Sequence, residues 1–176
     1  NMIEISDLGE KSFYDYVISK KNKFNDYKSL VKLIIKVQNI KVKKFYKLEK
    51  FRVKFYKYNL NNLHKESDLF FDWYLKYCLK KKKIGKIKRL LKEELTKIYK
   101  KLNFSNNTFV HRDFHVSNIM LKKKKLGLID SQDAMIGNPL YDVVSLIDDV
   151  RIKLPISLQN NLIHFYHKNS KLKKND

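Results

Sequence analysis

The sequence predicts an α+β fold that is mainly α, with a small β region late in the chain. Three observations carry that prediction. Glycine occurs four times (Gly9, Gly85, Gly127, Gly137) and proline twice (Pro139, Pro155) in 176 residues, too few turn formers for a many-stranded β fold. Apolar residues recur at three- and four-residue steps over long stretches, as helices require. Between Phe109 and Ile129 the pattern changes to short apolar runs separated by polar ones. With 43% hydrophobic residues, including 11 Phe and 11 Tyr, the chain can fill the core of one domain.

Residues 2 to 9 read as a short extended segment ending at Asp7-Leu8-Gly9, and Ser12 opens a helical stretch from Phe13 to Lys20. Between Tyr27 and Val37, the residues Leu30, Val31, Leu33, Ile34 and Ile35 crowd one broad face, the pattern of a buried amphipathic helix. The basic and aromatic stretch from 39 to 60 has no clean period and reads as a loop followed by an irregular helix. Leu63, Glu66, Leu69, Phe70, Trp73, Tyr74 and Tyr77 predict a further helix and Ile84 to Leu102 another, both packed on the same core. Asn103 to Asn107 breaks the pattern with turn formers. The runs Phe109-Val110, Ile119-Met120-Leu121 and Leu126 with Leu128-Ile129 then predict small β structure, and the lysines 122 to 125 fall where a hairpin turn is expected. Leu140, Val143, Val144 and Ile147 predict a helix with Asp142 near its start, where a carboxylate suits the helix dipole. The tail from Asn169 to Asp176 reads as frayed. No internal repeat or Ser- or Pro-rich linker divides the chain.

The formal net charge is +21, which by itself points to nucleic acid or an anionic surface. The composition argues against that partner. Only four of the 39 basic residues are arginines (Arg52, Arg89, Arg112, Arg151), whereas nucleic-acid readers exploit the planar arginine fork. The lysines are scattered along helices or sit in turn-like runs, a solvated surface. A single cysteine, Cys78, excludes an internal disulfide, and no Cys/His spacing matches a structural zinc site. The apolar runs are far shorter than the roughly 20 residues of a membrane span, and no signal peptide is evident. A cytoplasmic protein with no membrane contact is expected.

The segment Val110-His111-Arg112-Asp113-Phe114-His115-Val116-Ser117-Asn118 has the H-R-D-x-x-x-x-N form of a kinase catalytic loop. The spacing has a chemical reason. An Asp after a short strand can take the proton of an acceptor hydroxyl, while an Asn five residues on swings back to bind a divalent metal beside the same phosphoryl group. Twelve residues beyond Asn118, after one hairpin's worth of chain, Leu128-Ile129-Asp130 puts a carboxylate at a strand end, where a metal-binding Asp belongs. An H-R-D triplet arises by chance in a basic chain; base, Asn, hairpin and strand-end Asp in that order seldom do.

This stretch resembles the aminoglycoside phosphotransferase and choline kinase group, which shares the protein-kinase-like fold. Its H-x-D-x-H-x-x-N pattern, with His115 in place, is that of small-molecule kinases. More narrowly, Ile129-Asp130-Ser131-Gln132-Asp133-Ala134, then Gly137-Asn138-Pro139-Leu140-Tyr141-Asp142, is similar to the bacterial N-acetylmuramate/N-acetylglucosamine anomeric kinases. So is Leu63-x-x-Glu66-x-x-Leu69-Phe70-x-Asp72-Trp73 upstream. Ser131 departs from the expected Phe, and Asn138 is an extra residue before Pro139; both changes leave Asp130 intact.

The resemblance implies the C-terminal lobe of that fold with a small β hairpin, and transfer of the γ-phosphoryl group of ATP to a hydroxyl of an amino sugar. Choline-like and aminoglycoside kinases are the alternatives of the same mechanism, and a non-catalytic basic binding module the alternative of another class. Residue by residue, Asp113 becomes the catalytic base, His111 and His115 brace its loop, and Asn118 and Asp130 bind magnesium that bridges ATP phosphates. Asp133 and Trp73 are candidate substrate contacts, against the plainer readings of a turn cap and a core aromatic. Asp142 is expected to tie its helix to the catalytic loop. No G-x-G-x-x-G precedes Asp113. Residues 1 to 9 therefore resemble the hinge after a missing N-lobe and 10 to 176 a C-lobe truncated at its end, and the chain by itself is expected to bind ATP weakly.

Overall fold

The computed structural model describes residues 6–43, 45–48, 51–101 and 107–170. The expectations for residues 2 to 5, for 102 to 106 and for the tail beyond 170 lie outside them. The described chain is mainly helical, with three two-stranded antiparallel sheets. Helix α1 (Phe13–Val17) opens on a capping box in which Ser12 and Asp15 satisfy each other's backbone amides, and it ends earlier than the sequence pattern suggests. Helix α2 (Phe24–Gln38) buries Tyr27, Leu30, Val31, Ile34 and Val37 on one face, as its period predicts.

Residues 39 to 60 depart from expectation. Instead of a loop and irregular helix, Phe45–Leu48 (β1) and Phe51–Lys54 (β2) form an antiparallel hairpin. The aromatic and β-branched residues there favour a pleated ribbon, and a two-stranded ribbon needs no long alternation. Helix α3 (Leu60–Leu69) continues through a π-helical turn, Phe70–Tyr74, into α4 (Leu75–Cys78). Helix α5 (Lys81–Lys101) follows.

These helices do not share the main core. Helices α3 and α5 contain no buried residue, and between them only Phe71 and Leu75 are buried, neither of them in the predicted stripe. Helix α5 is tied by polar contacts to α3 and to the π-helical turn. Lys92 Nζ lies 3.0 Å from an oxygen of Asp68, Lys88 Nζ lies 2.7 Å from Asp72, and Thr96 meets His64. Amphipathic periodicity marks a face without saying what covers it.

Strand β3 (Thr108–Val110) leads into the His111–Asn118 loop; β4 (Ile119–Lys122) and β5 (Lys125–Leu128) form the expected hairpin. Its two-residue turn, Lys123 and Lys124, has φ of 47° and 65°, the positive values that a tight hairpin turn needs. Strand β6 (Met135–Gly137), which the sequence pattern does not mark, pairs with β3. Helix α6 (Leu140–Ile147) matches its prediction, and α7 (Ile156–Asn169) extends helical structure into a region with no assigned element.

The core gathers α1, α2, α6 and α7 around Phe114, Val116 and Ile119. Tyr166 of α7 fastens three of these elements, its hydroxyl donating to Gln38 Oε1 at 2.8 Å and lying 3.2 Å from the Pro139 carbonyl; burial pushes its pKa up to about 12. Gly137 allows β6 to lie against β3: a Cβ there would stand 2.8 Å from Val110 Cγ2 and 3.4 Å from Tyr58 Cβ. Val110 is fully buried and directly precedes His111. Gly137→Ala is therefore expected to destabilise the fold by about 1–3 kcal/mol through overpacking, measurable as a lower urea midpoint at unchanged m-value.

Candidate active site

The loop from His111 to Asn118 is anchored from below and open above. Phe114 and Val116 point into the core, fully buried, which turns Asp113 outward with its side chain 52% exposed. His111 and His115 are both buried. His115 Nε2 lies 3.1 Å from Asp113 Oδ1, and Asn118 Nδ2 donates to Asp113 Oδ2 at 3.0 Å and to the Asp113 carbonyl at 3.1 Å. The Asp113 carboxylate is thus held on both oxygens, a preorganised acceptor rather than a free rotor. Burial lowers the pKa of His115, with the nearby Asp113 charge opposing, which favours the neutral ring.

The strand end carrying Asp130 is joined to this loop. The Ile129 amide donates to the Asn118 carbonyl at 3.0 Å, and His111 Nε2 meets the Ile129 carbonyl at 2.9 Å. Asp130 itself has φ 66° and Arg112 φ 73°, left-handed conformations that side chains other than glycine rarely adopt. Outside the lysine turn they are the described non-glycine residues with positive φ; Arg112 directly precedes Asp113, and Asp130 directly follows the Ile129 that bonds to Asn118. Such strain persists where the surroundings over-determine it.

Those surroundings are visible. Asp142, fully buried in the first turn of α6, accepts from the His111 amide at 2.8 Å and the Arg112 amide at 2.9 Å. Burial raises its pKa, and the two amides pull the other way. The expected tie between α6 and the loop is present. Arg112 reaches to Glu66 of α3, Nη2 to Oε1 at 2.7 Å, and donates through Nη1 to the Asp133 carbonyl at 3.2 Å. Glu66 also accepts from Tyr58 at 2.5 Å and Tyr141 at 3.4 Å.

The remaining candidates sit apart. The Asp133 side chain is exposed, and its carbonyl is what meets Arg112. Trp73 is 68% exposed on the π-helical turn, so it is not the core aromatic that its helical spacing suggests. Two surface cavities of about 710 and 780 Å³ are lined by residues of other regions, Phe55, Tyr56 and Phe109 in one and Asp149, Leu154 and Gln159 in the other. The loop gathers its polar groups around Asp113 away from both cavities. Among the described residues no cluster of three His, Cys, Asp or Glu side chains is placed to hold a metal.

A sequence profile of the phosphotransferase enzyme family matches residues 5–173. The chain belongs to that family. An N-acetylmuramate/N-acetylglucosamine kinase of Neisseria meningitidis serogroup B is 32% identical over 96 residues, 54% of this chain and 29% of that protein. The protein of the same name from Pseudomonas aeruginosa is 33% identical over 93 residues, 53% of this chain and 28% of that protein. These alignments span under a third of the length of either relative, and about half of this phosphotransferase-family chain. Glu66 is a site residue that sequence reasoning met only as part of a motif; its partner Arg112 is 46 positions away, a distance no local pattern records.

Proposed function

We propose that this chain carries the catalytic loop of an ATP-dependent small-molecule kinase, residues 10 to 170 folding as its C-terminal lobe, with an amino sugar such as N-acetylmuramate or N-acetylglucosamine as acceptor. The observation that carries this reading is the Asp113 carboxylate clamped between His115 and Asn118 beside the strand end that presents Asp130. The relatives' names support the acceptor class. In the reaction, the acceptor hydroxyl hydrogen-bonds to Asp113. Its oxygen bonds to the γ-phosphorus as the bond to the β-phosphate bridge breaks, and Asp113 takes the released proton. The products are the phosphate ester and ADP.

The donor set fits magnesium. Asn118 uses its Nδ2 on Asp113, which leaves an amide oxygen, and Asp130 adds an exposed carboxylate; both are hard oxygen ligands. Two protein donors suit an ion that keeps water and substrate phosphates in its remaining positions. When bound, magnesium neutralises charge on the phosphates. Charge also bears on the acceptor. A surface of formal charge +21 repels a polycationic aminoglycoside at long range and admits a neutral or carboxylate-bearing sugar. The setting we infer is the cytoplasm, where ATP is supplied.

The test is an ADP-release assay on the full-length protein that carries this chain, run with magnesium-ATP and a panel of N-acetylmuramate, N-acetylglucosamine, choline and kanamycin. Turnover with the two amino sugars is expected. Turnover with kanamycin or choline only overturns the acceptor assignment, and none with any hydroxyl acceptor overturns the kinase reading.

A further inference from the structure

The buried polar atoms of the described residues with no hydrogen-bond partner in the protein include His111 Nδ1 and Arg112 Nε of the catalytic loop, and three that border the core beside it: His115 Nδ1, Asp149 Oδ2 and the Tyr27 hydroxyl. The latter three come from three elements, the loop, the turn after α6, and α2. Tyr27 is fully buried, His115 is 7% exposed and the Asp149 side chain 1%. The other Asp149 oxygen is committed, accepting from the Arg151 amide at 3.0 Å and from Arg151 Nη1 at 3.1 Å. That fixes the carboxylate and directs Oδ2 inward. Tyr27 packs in the same buried cluster as Phe114 and Val116, which flank His115, and as Ile147 and Ile152, which bracket Asp149; in keeping with that, the Asp149 charge acts on both His115 and Tyr27, beneath the larger effect of burial.

An unsatisfied buried polar group is costly, and interiors solve this with a shared water that makes about three hydrogen bonds. Here the donors and acceptors balance in only one way once His115 faces Asp113. A carboxylate oxygen at 3.1 Å from Nε2 requires the proton of a neutral ring to sit on Nε2. Nδ1 is then an acceptor. One water can accept from the Tyr27 hydroxyl and donate its two protons to Asp149 Oδ2 and His115 Nδ1, leaving none of these three unpaired.

We propose that Asp149 and Tyr27, through one bridging water, hold His115 as the neutral tautomer protonated on Nε2, so that it donates to the Asp113 carboxylate. Asp149 and Tyr27 are positioning residues, acting on Asp113 through His115. Their consequence for catalysis rests on the function proposed above; the tautomer does not. Were the proton to move to Nδ1, the Nε2 lone pair would face the Asp113 lone pairs, and the carboxylate would be free to swing away from the acceptor.

The experiment is long-range proton–nitrogen NMR on the full-length protein labelled with 15N-histidine at neutral pH, His115 being assigned by loss of its signals in His115→Gln. The wild type is expected to show a protonated Nε2 and a bare Nδ1. Asp149→Asn and Tyr27→Phe, each of which preserves side-chain volume, should each shift the His115 nitrogens towards a tautomer mixture. In the kinase assay they should lower kcat about tenfold, part of what a well-placed general base contributes, with KM for magnesium-ATP unchanged. A wild-type proton on Nδ1, or His115 resonances that move in neither variant, overturns the inference. If those resonances behave as described while the wild type phosphorylates no acceptor, the tautomer assignment stands and the kinase reading fails.

Discussion

Asp113→Asn is expected to lower kcat by roughly two to four orders of magnitude, the usual contribution of a general base, while KM for magnesium-ATP stays nearly constant. The amide keeps the shape and can still accept from Asn118 Nδ2, so the loop remains in place. What is lost is the ability to take a proton from the acceptor hydroxyl and the charge that orients it. The substitution also puts either an amide nitrogen or an amide oxygen opposite His115 Nε2, and neither restores basicity. Because the Asp113 side chain is 52% exposed, folding stability should barely change, and thermal melts of the two proteins should superimpose. Steady-state kinetics at saturating amino sugar separate this from the rival reading. A basic binding module has no use for a proton acceptor at 113, so an unchanged turnover in the variant would count against a catalytic Asp113.

The site was legible in the sequence where its geometry is local. Asp113, His115 and Asn118 lie within one turn of chain, so their spacing by itself encodes the clamp. The β4–β5 hairpin was legible because its strands are consecutive and a two-residue lysine turn joins them. Periodicity gave α2 and α6 because each buries one face. What was not legible depends on partners distant in the chain. Strand β6 is three residues long and becomes a strand only by pairing with β3, and the hairpin at Phe45 has too many basic residues to show alternation. The contact of Arg112 with Glu66 joins a loop to a helix that the aromatic stripe had placed on the core. In the event no residue of that stripe is buried: Phe71 and Leu75, which it leaves out, are the buried positions, and Trp73, Tyr74 and Tyr77 face outward.

Asp142→Ala is expected to cost about 2–4 kcal/mol and to silence the enzyme as well. The carboxylate is fully buried and accepts from two consecutive amides, those of His111 and Arg112. Each hydrogen bond to a charged group is worth about 1.5–3 kcal/mol, and each amide left bare in the interior carries a penalty of about 1–3 kcal/mol. The sum must be discounted, because burying the carboxylate is itself unfavourable. Burial raises its pKa above 3.8 even against the two amides. A folded-state pKa above the unfolded value means the native state holds the proton more tightly, so ionised Asp142 subtracts stability as pH rises through that value. Asp142→Asn should be milder, since its carbonyl can serve one amide while its NH2 group confronts the other. The functional loss follows from position: Arg112 is held at φ 73°, a conformation costing about 1–3 kcal/mol that survives only while both amides are gripped. Releasing them lets Arg112 relax and carries Asp113, the next residue, out of register with His115 and Asn118. Urea titration with parallel kinetics distinguishes the two aspartates. The Asp113 variant should lose activity at full stability and the Asp142 variant both together; an Asp142→Ala protein with wild-type midpoint and turnover would show that α6 does not hold the loop.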